Sequence, residues 1–339
     1  GNDLNDFALS WAINSHNSNL PDYTENIEMN HDRYGSMAQR LPVNGIYFQK
    51  MDAKLAMADA SYQWIDIDPF GSPVPFIDSA IQSLARTGVL EVTATDTAAL
   101  TGSSLSSQKR RYGAQGIVDD YAHDDAVRVL LGMIAKTAAM HDRIIKPILS
   151  LFDGHHVRVS VLIKTSKEAA SNFQEQLGYR LRTKDVPYKF IKYPSADQIK
   201  SASGPLWIGP LMDKEIAGRL TEECAIQTCL PTSDELEELI AKGLAWSDKD
   251  VEYATREMIR SVKHISSAAD LLSRQHMLLS LNSMPRLAGT KGAPKMDDVI
   301  SDLIELGYSA ARYPDMEPMF VTDASFDDVI SIFRKYHYD

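Results

Sequence analysis

Cysteine is almost missing from this chain: Cys224 and Cys229 are the only two among 339 residues. Two thiols give no disulfide framework and too few ligands for a four-ligand structural zinc site. No metal is therefore expected, and a reducing, cytoplasmic compartment fits best. No run approaches the roughly 18 consecutive apolar residues of a membrane span, so no membrane partner is expected. The opening GNDLNDFALSWAINSHNSN lacks the basic head and apolar core of a signal peptide. Positive charge is in deficit too, with 35 Lys and Arg against 46 Asp and Glu and a formal charge of −11. That excludes a basic coat over the whole surface, but not a local basic strip. Candidates for such a strip are QKRRYG at 108–113 and YRLRTKDVPYKFIKY at 179–193. Repeats and low-complexity tracts are absent. Oligomeric state is not readable.

What remains is an ordinary globular composition, 44% hydrophobic and 24% charged. The length predicts two domains at about 150 residues each. Along the chain the spacing predicts a helix over 6–17, strands over 45–53 and 64–68, and a helix over 74–88 that stops at Gly88. A strand over 89–97 and a long helix over 121–144 follow. Asp153-Gly154 then marks a hairpin inside 147–163. Strand and helix in alternation predict a parallel sheet covered on both faces, with the hairpin at one edge. After about residue 165 the texture changes, with helices expected at 212–228, 233–243 and 250–281 and irregular connections through 195–210. The tail from Met296 reads helix, strand, strand, helix. The expected units are 1–165 and a second, α+β unit at 166–339.

The stretch WIDIDPFGSPVPF at 64–76 carries the chemistry. Open parallel sheets bind ligands beyond the carboxyl ends of their strands, and Asp68 sits at such an end. With the Pro69 carbonyl it can present two converging acceptors to a planar exocyclic amine. Holding both hydrogens draws the nitrogen lone pair out of ring conjugation. The competing reading is a cap for the helix that starts near 74.

The run DIDPFGSPVPFIDSAIQSLARTGVLEVTATDTAALTG closely resembles the tRNA guanine-26 N2-dimethyltransferases, which use S-adenosyl-L-methionine. RRYGA at 110–114, HDDAVRVLLGMIAKTAA at 123–139, HHVRVSVLIK at 155–164, GPLWIGPL at 204–211 and VTDASFDDV near the end look like further blocks in family order. The resemblance implies an α/β fold: a Rossmann-like class I methyltransferase domain followed by a C-terminal α+β domain that grips tRNA. It implies that Asp68 with Pro69 orients the guanine amine and accepts its proton, and that Phe70 stacks on the base. It implies Asp3 on the cofactor ribose, or else a cap for the helix at 6–17. Asp52 and Ala53 would meet the adenine, or be an ordinary strand end. Asp96 and Thr97 border the pocket or brace loops. Arg110, Arg111 and Tyr112 would meet tRNA, or form a solvated charge run. His123 reads as a helix-start or core histidine rather than a base. A non-catalytic tRNA-binding relative, or an amino-methyltransferase acting on another nucleic-acid base, are the alternatives.

Three departures stand out. No G-x-G precedes Asp3, so the first strand and glycine-rich cofactor loop are expected to lie outside this chain. The four-cysteine knuckle of archaeal relatives is replaced by PYKFIKYPSADQIKSAS. ARYPDMEPMFVTDA stands where a Thr-His-Phe is usual.

Overall fold

The computed structural model describes residues 50–336 except 59, 231–236, 238–240, 242–246, 275, 277, 315 and 317. Of residue 248, and of residues 2–3, 29–31, 37–40 and 47–49, it describes the backbone alone. The helices expected over 6–17 and 233–243 lie outside the described residues or nearly so.

Four short strands, β1 (Asn2–Asp3), β2 (Met29–His31), β3 (Met37–Arg40) and β4 (Tyr47–Lys50), form a sheet in the order β1-β4-β3-β2, with β1 and β4 parallel. The next four, β5 (Tyr62–Ile67), β6 (Leu84–Ala94), β7 (Arg143–Phe152) and β8 (Val157–Thr165), pair in the order β5-β6-β8-β7. Only β5 and β6 are parallel; the β7–β8 hairpin adds antiparallel strands. Its turn falls where Asp153-Gly154 predicts it. The Asp153 carboxylate accepts from the N–H groups of His155 and His156, and Gly154 takes a positive φ of 94°.

Helices α1 (Ala53–Ala58), α2 (Val74–Ser83), α3 (Thr97–Leu100), α4 (Leu105–Tyr112) and α5 (Ala122–Met140) intervene. Ile65 and Ile67 of β5, Leu90 and Val92 of β6, and Val157, Val159, Val161 and Ile163 of β8 turn one face of the second sheet into the core. There they meet Ile77, Ala80 and Ile81 of α2 and Leu130, Ile134 and Ala138 of α5. The opposite face carries exposed Trp64 and a polar cross-strand group. Arg158 reaches Asp66 at 2.9 Å, Thr93 at 2.6 Å, and Glu91. The expectation of two covered faces is thus corrected among the described residues.

The helix expected over 74–88 ends at Ser83. Residues Leu84–Gly88 instead open β6, because Thr87 and Gly88 pair with β8 and Arg143 donates to the carbonyls of Leu84 and Ala85 at 2.8 and 3.1 Å. Tertiary pairing overrides the helical spacing of this stretch. Gly88 is therefore a strand residue and not a stop.

Downstream, β9 (Leu177–Arg182), β10 (Tyr188–Ile191) and β11 (Ala202–Trp207) form a sheet in the order β10-β9-β11, so an ordered strand replaces part of the irregular stretch expected at 195–210. The helix expected at 212–228 is two, Lys214–Ala217 and Glu222–Cys229, broken at Gly218–Thr221. That expected at 250–281 is α6 (Asp248–Leu272), started by a capping box on Ser247 and followed by strand β12 (Leu278–Ser280). The tail keeps its predicted order: α7 (Met284–Ala288) precedes α8 (Met296–Glu305), β13 (Ala310–Arg312), β14 (Met319–Thr322) and α9 (Phe326–Lys335). Phe320, Val299, Leu303, Val329 and Phe333 form its own small core. Among the described residues no helix is long and apolar enough to cross a membrane.

Helix α5 is the axis of the molecule. It packs on β7 and β8 on one side and on β11 on the other, so nearly its whole circumference is buried. Gly132 permits this, since a Cβ there would lie 3.3 Å from the Trp207 amide nitrogen and 3.5 Å from the Leu206 Cα. Buried charges on its first turns are neutralised locally. Asp124 accepts from Arg128 at 2.6 Å, and Arg128 also donates to the Trp207 carbonyl at 3.2 Å. Arg180 of β9, wholly buried, makes a fork to Asp125 at 2.6 and 2.7 Å and a second to Asp119 at 2.9 and 3.0 Å. Burial opposes its charge, but Asp125 and Asp119 outweigh it and raise the guanidinium pKa. Arg180 is therefore not part of an exposed basic strip. Arg180→Met should leave two carboxylates in the interior without a counter-charge and cost about 3–5 kcal/mol. Urea denaturation checks this, and loss of the exposed Lys200–Asp197 pair should barely move the midpoint.

Candidate active site

Strand β5 ends at Ile67, and Asp68-Pro69-Phe70-Gly71 turns the chain out of the sheet before α2 begins. The N-cap of α2 is Pro73, and no side chain caps it. Asp68 is therefore not a cap. Its carboxylate is exposed, and neither that carboxylate nor the Pro69 carbonyl accepts a hydrogen bond among the described residues. Phe70 is fully exposed, at 104%. A large apolar ring so placed is paid for in lost burial, and marks an interaction surface more than a packing element.

The turn itself is held from behind. Strand β6 runs parallel to β5 and ends at the same sheet edge. Just beyond it, the Thr95 hydroxyl accepts from the Gly71 N–H at 2.6 Å, and the Thr95 N–H donates to the Gly71 carbonyl at 3.0 Å. Gly71 has a φ of 83°, a conformation that only glycine takes at low cost. One residue on, Asp96 turns its carboxylate away from capping α3. One oxygen accepts from the Tyr112 hydroxyl at 2.7 Å and the other from Arg111 at 2.8 Å. The Ser72 hydroxyl lies 3.1 Å from that of Tyr112. Burial pushes the Tyr112 hydroxyl pKa upward, so it stays protonated.

The three residues grouped as tRNA contacts are split by the helix they share. Arg110 is exposed, with a long 3.4 Å bond to Ser107. Arg111 is nearly half exposed although tied to Asp96. Tyr112 faces inward and is buried, a placement that corrects its grouping with a surface strip. Gln108, one helical turn earlier, is buried beside it and donates to the Leu100 carbonyl at 2.8 Å. After Gly113 stops α4 in the left-handed region, the loop is stitched to the second half of the chain. Gln115 and Gly204 exchange backbone bonds at 2.9 and 2.7 Å, and the Ile117 N–H donates to Ser203 at 2.9 Å.

Of the predicted cofactor residues, Asp3 lies on the first sheet, and Asp52 and Ala53 follow just after its strand β4. Asp3 and Lys50 are register partners on parallel β1 and β4, so Asp3 and the Asp52-Ala53 pair follow adjacent strands toward the same edge. One Asp52 oxygen accepts from the N–H groups of Lys54 and Leu55 at 2.9 and 3.4 Å, capping α1. The other oxygen and the Ala53 N–H have no partner among the described residues. An acceptor beside a donor complements the amine and ring nitrogen of an adenine edge, so the pair fits the group expected there. Helix α1 packs on α2, joining this corner to the acceptor turn. His123 stacks on Phe152 with ring centroids 4.2 Å apart and takes no part in the turn. A cleft of about 790 Å³ between β7, residues 166–176 and 207–215 contains none of these residues. Among the described residues no cluster of His, Cys, Asp and Glu could hold a metal.

The residues that sequence reasoning missed are Thr95 and Ser72, the two that brace the turn. Both stand inside the quoted motifs, but a hydroxyl in a turn carries no signal of its partner 24 or 40 residues away.

The family model described as N2,N2-dimethylguanosine tRNA methyltransferase matches residues 15–334. The tRNA (guanine(26)-N(2))-dimethyltransferase of Metallosphaera sedula is 36% identical over 60% of this chain and 56% of its own length. That of Thermococcus kodakarensis is 29% identical over 85% of this chain and 69% of its own. That of Archaeoglobus fulgidus is 30% identical over 84% and 72%. The chain thus spans only about half to seven-tenths of these relatives. The solved structure of Trm1 from Pyrococcus horikoshii with S-adenosyl-L-methionine superposes with a TM-score of 0.73 at 25% identity, over 98% of this chain and 80% of that one. The architecture is the α/β, class I methyltransferase type, with the α+β half behind it. With a family match from residue 15 to residue 334 and the Asp-Pro-Phe-Gly turn at the end of a parallel strand, the chain belongs to the N2,N2-dimethylguanosine tRNA methyltransferase family.

Proposed function

We propose that this chain acts in an S-adenosyl-L-methionine-dependent transfer of one or two methyl groups to the exocyclic N2 of guanine 26 in tRNA. One observation carries the reading. The Asp68 carboxylate and Pro69 carbonyl, two acceptors without partners among the described residues, stand beside a wholly exposed Phe70 on a turn braced from behind. The two acceptors suit the two N–H donors of a guanine amine, and the ring suits its flat face. When both hydrogens are held, the nitrogen lone pair leaves conjugation with the ring and points outward. Asp68 then takes one proton as the nitrogen becomes cationic.

When bound, S-adenosyl-L-methionine supplies an electrophilic methyl group. Asp3 would hold its ribose hydroxyls, and Asp52 with the Ala53 N–H would hold its adenine. Arg110 and Arg111 at the end of α4 would meet tRNA phosphate, and the half of the chain from 166 to 339 would grip the tRNA by shape. The target base must leave its stack to reach the turn, and Phe70 offers it a new one. The two exposed free cysteines agree with a reducing, cytoplasmic setting.

The test uses the complete reading frame containing this chain, S-adenosyl-L-methionine, and tRNA bearing guanine or adenine at position 26. Digestion and mass analysis should find methylated guanosine from the guanine tRNA alone; none from either would overturn the reading. Asp68→Asn, nearly isosteric and exposed, should keep the unfolding midpoint while the rate falls a hundredfold or more, about 3 kcal/mol of transition-state stabilisation. Raising salt from roughly 50 to 200 mM should weaken tRNA binding steeply, and Arg110→Ala should lower the slope of log K against log salt by about 1. An unchanged slope would take Arg110 out of the phosphate contact.

A further inference from the structure

We infer that Tyr112, buried under the acceptor turn and touching no substrate, is a positioning residue: with Asp96 it fixes Ser72 and so sets the geometry of Asp68-Pro69-Phe70. This inference rests on the acceptor reading for its consequence, but not for its structural content.

The hydrogen bonds around Tyr112 have a forced direction. Asp96 can only accept, and it lies 2.7 Å from the Tyr112 hydroxyl, so the single phenolic proton goes to Asp96. Ser72, 3.1 Å away, must then be the donor to Tyr112. The chain runs Ser72 to Tyr112 to Asp96, and Arg111 closes it by donating to the second Asp96 oxygen at 2.8 Å. Each step orients the next, because a carboxylate with one oxygen held by a guanidinium presents the other in a fixed place.

The turn is therefore gripped at two successive residues. Thr95 holds Gly71 through two bonds, and Tyr112 holds Ser72 through one. Between these anchors and the end of β5 stand Asp68, Pro69 and Phe70, which have no attachment among the described residues. A proline in that short span, with φ fixed, leaves few conformations to a turn whose two ends are held. Pro73, buried directly after Ser72, stiffens the exit. Removing the Tyr112 hydroxyl breaks the second grip and also leaves one oxygen of the partly buried Asp96 carboxylate without its phenol. The ring can stay, since its burial among apolar neighbours does not need the oxygen.

Tyr112 also stands at a junction. The helix that carries it is fastened at its end to β11 by the Gln115–Gly204 bonds, so its position is set from both halves of the chain. A residue that only filled space there would tolerate phenylalanine without loss.

The experiment uses the complete reading frame and compares wild type with Tyr112→Phe, Ser72→Ala, the double variant and Ser72→Thr. Two readouts are needed: exchange of the Gly71 and Thr95 amides, whose N–H groups hold the turn, and kcat and KM for tRNA methylation. Tyr112→Phe and Ser72→Ala should each speed exchange of the turn about tenfold, the scale of one lost hydrogen bond, with β8 unchanged. Each should lower kcat by roughly tenfold or more with little change in KM, as for a misaligned acceptor. The double variant should equal either single one, and Ser72→Thr, which keeps the hydroxyl, should behave as wild type. Unchanged exchange and kcat in Tyr112→Phe, or fully additive losses in the double variant, would overturn the inference. Faster exchange of the turn in an enzyme whose wild type transfers no methyl group would uphold the grip on Ser72 and overturn the acceptor reading instead.

Discussion

The fold depends on a guanidinium buried between two halves of the chain. Arg180 comes from β9, and its partners Asp119 and Asp125 come from the entry and first turn of α5. A single one of these charges inside would unfold more than it holds; Arg180 offsets one carboxylate, and Arg182 lies 3.7 Å from partly exposed Asp119, with the rings of Tyr121 and Tyr188 within 5.3 and 5.8 Å of the buried guanidinium. Because α5 also packs on β7 and β8, fixing its first turn fixes how the second sheet meets the β9–β11 sheet. Tyr313 of the tail adds its hydroxyl to Asp124 at 3.4 Å, so the C-terminal segment is registered on the same turn.

The acceptor turn uses that rigidity. A carboxylate useful to a substrate must be left without protein partners, and an unpartnered side chain on a loose loop has no defined place. The structure separates the two demands. Among the described residues Asp68, Pro69 and Phe70 make no hydrogen bonds, while their neighbours Gly71 and Ser72 make all of them. The same division shows at Asp52, where one oxygen caps α1 and the other has no partner among the described residues.

Much of this was legible in the sequence. The apolar run at 64–68 placed the end of β5, and Asp153-Gly154 placed the hairpin turn. The same run put Asp68 at a strand end, and the structure removed the capping alternative by showing Pro73 in that position. Other features were hidden for identifiable reasons. Leu84 keeps helical spacing with Ile77 and Ile81, yet it is drawn into β6 by β8 and Arg143, which lie far along the chain. Arg180 looked like one more cation in a basic stretch, because carboxylates 55 and 61 residues away do not show in local composition. Tyr112 could have been found: Gln108 and Tyr112 are four apart, which puts both on one helix face, away from Arg110.

The bare ring of Phe70 gives this site a thermal character that its charges lack. Under the proposed reading, phosphate contacts through Arg110 and Arg111 would exchange ions and leave little mark on heat capacity. Covering an aromatic ring of about 150 Å² removes structured hydration instead, and lowers the heat capacity by roughly 0.07 kcal/mol/K. A base seated on Phe70, as proposed, would therefore bend the temperature dependence of affinity, whereas RNA held by its backbone alone would leave it nearly straight.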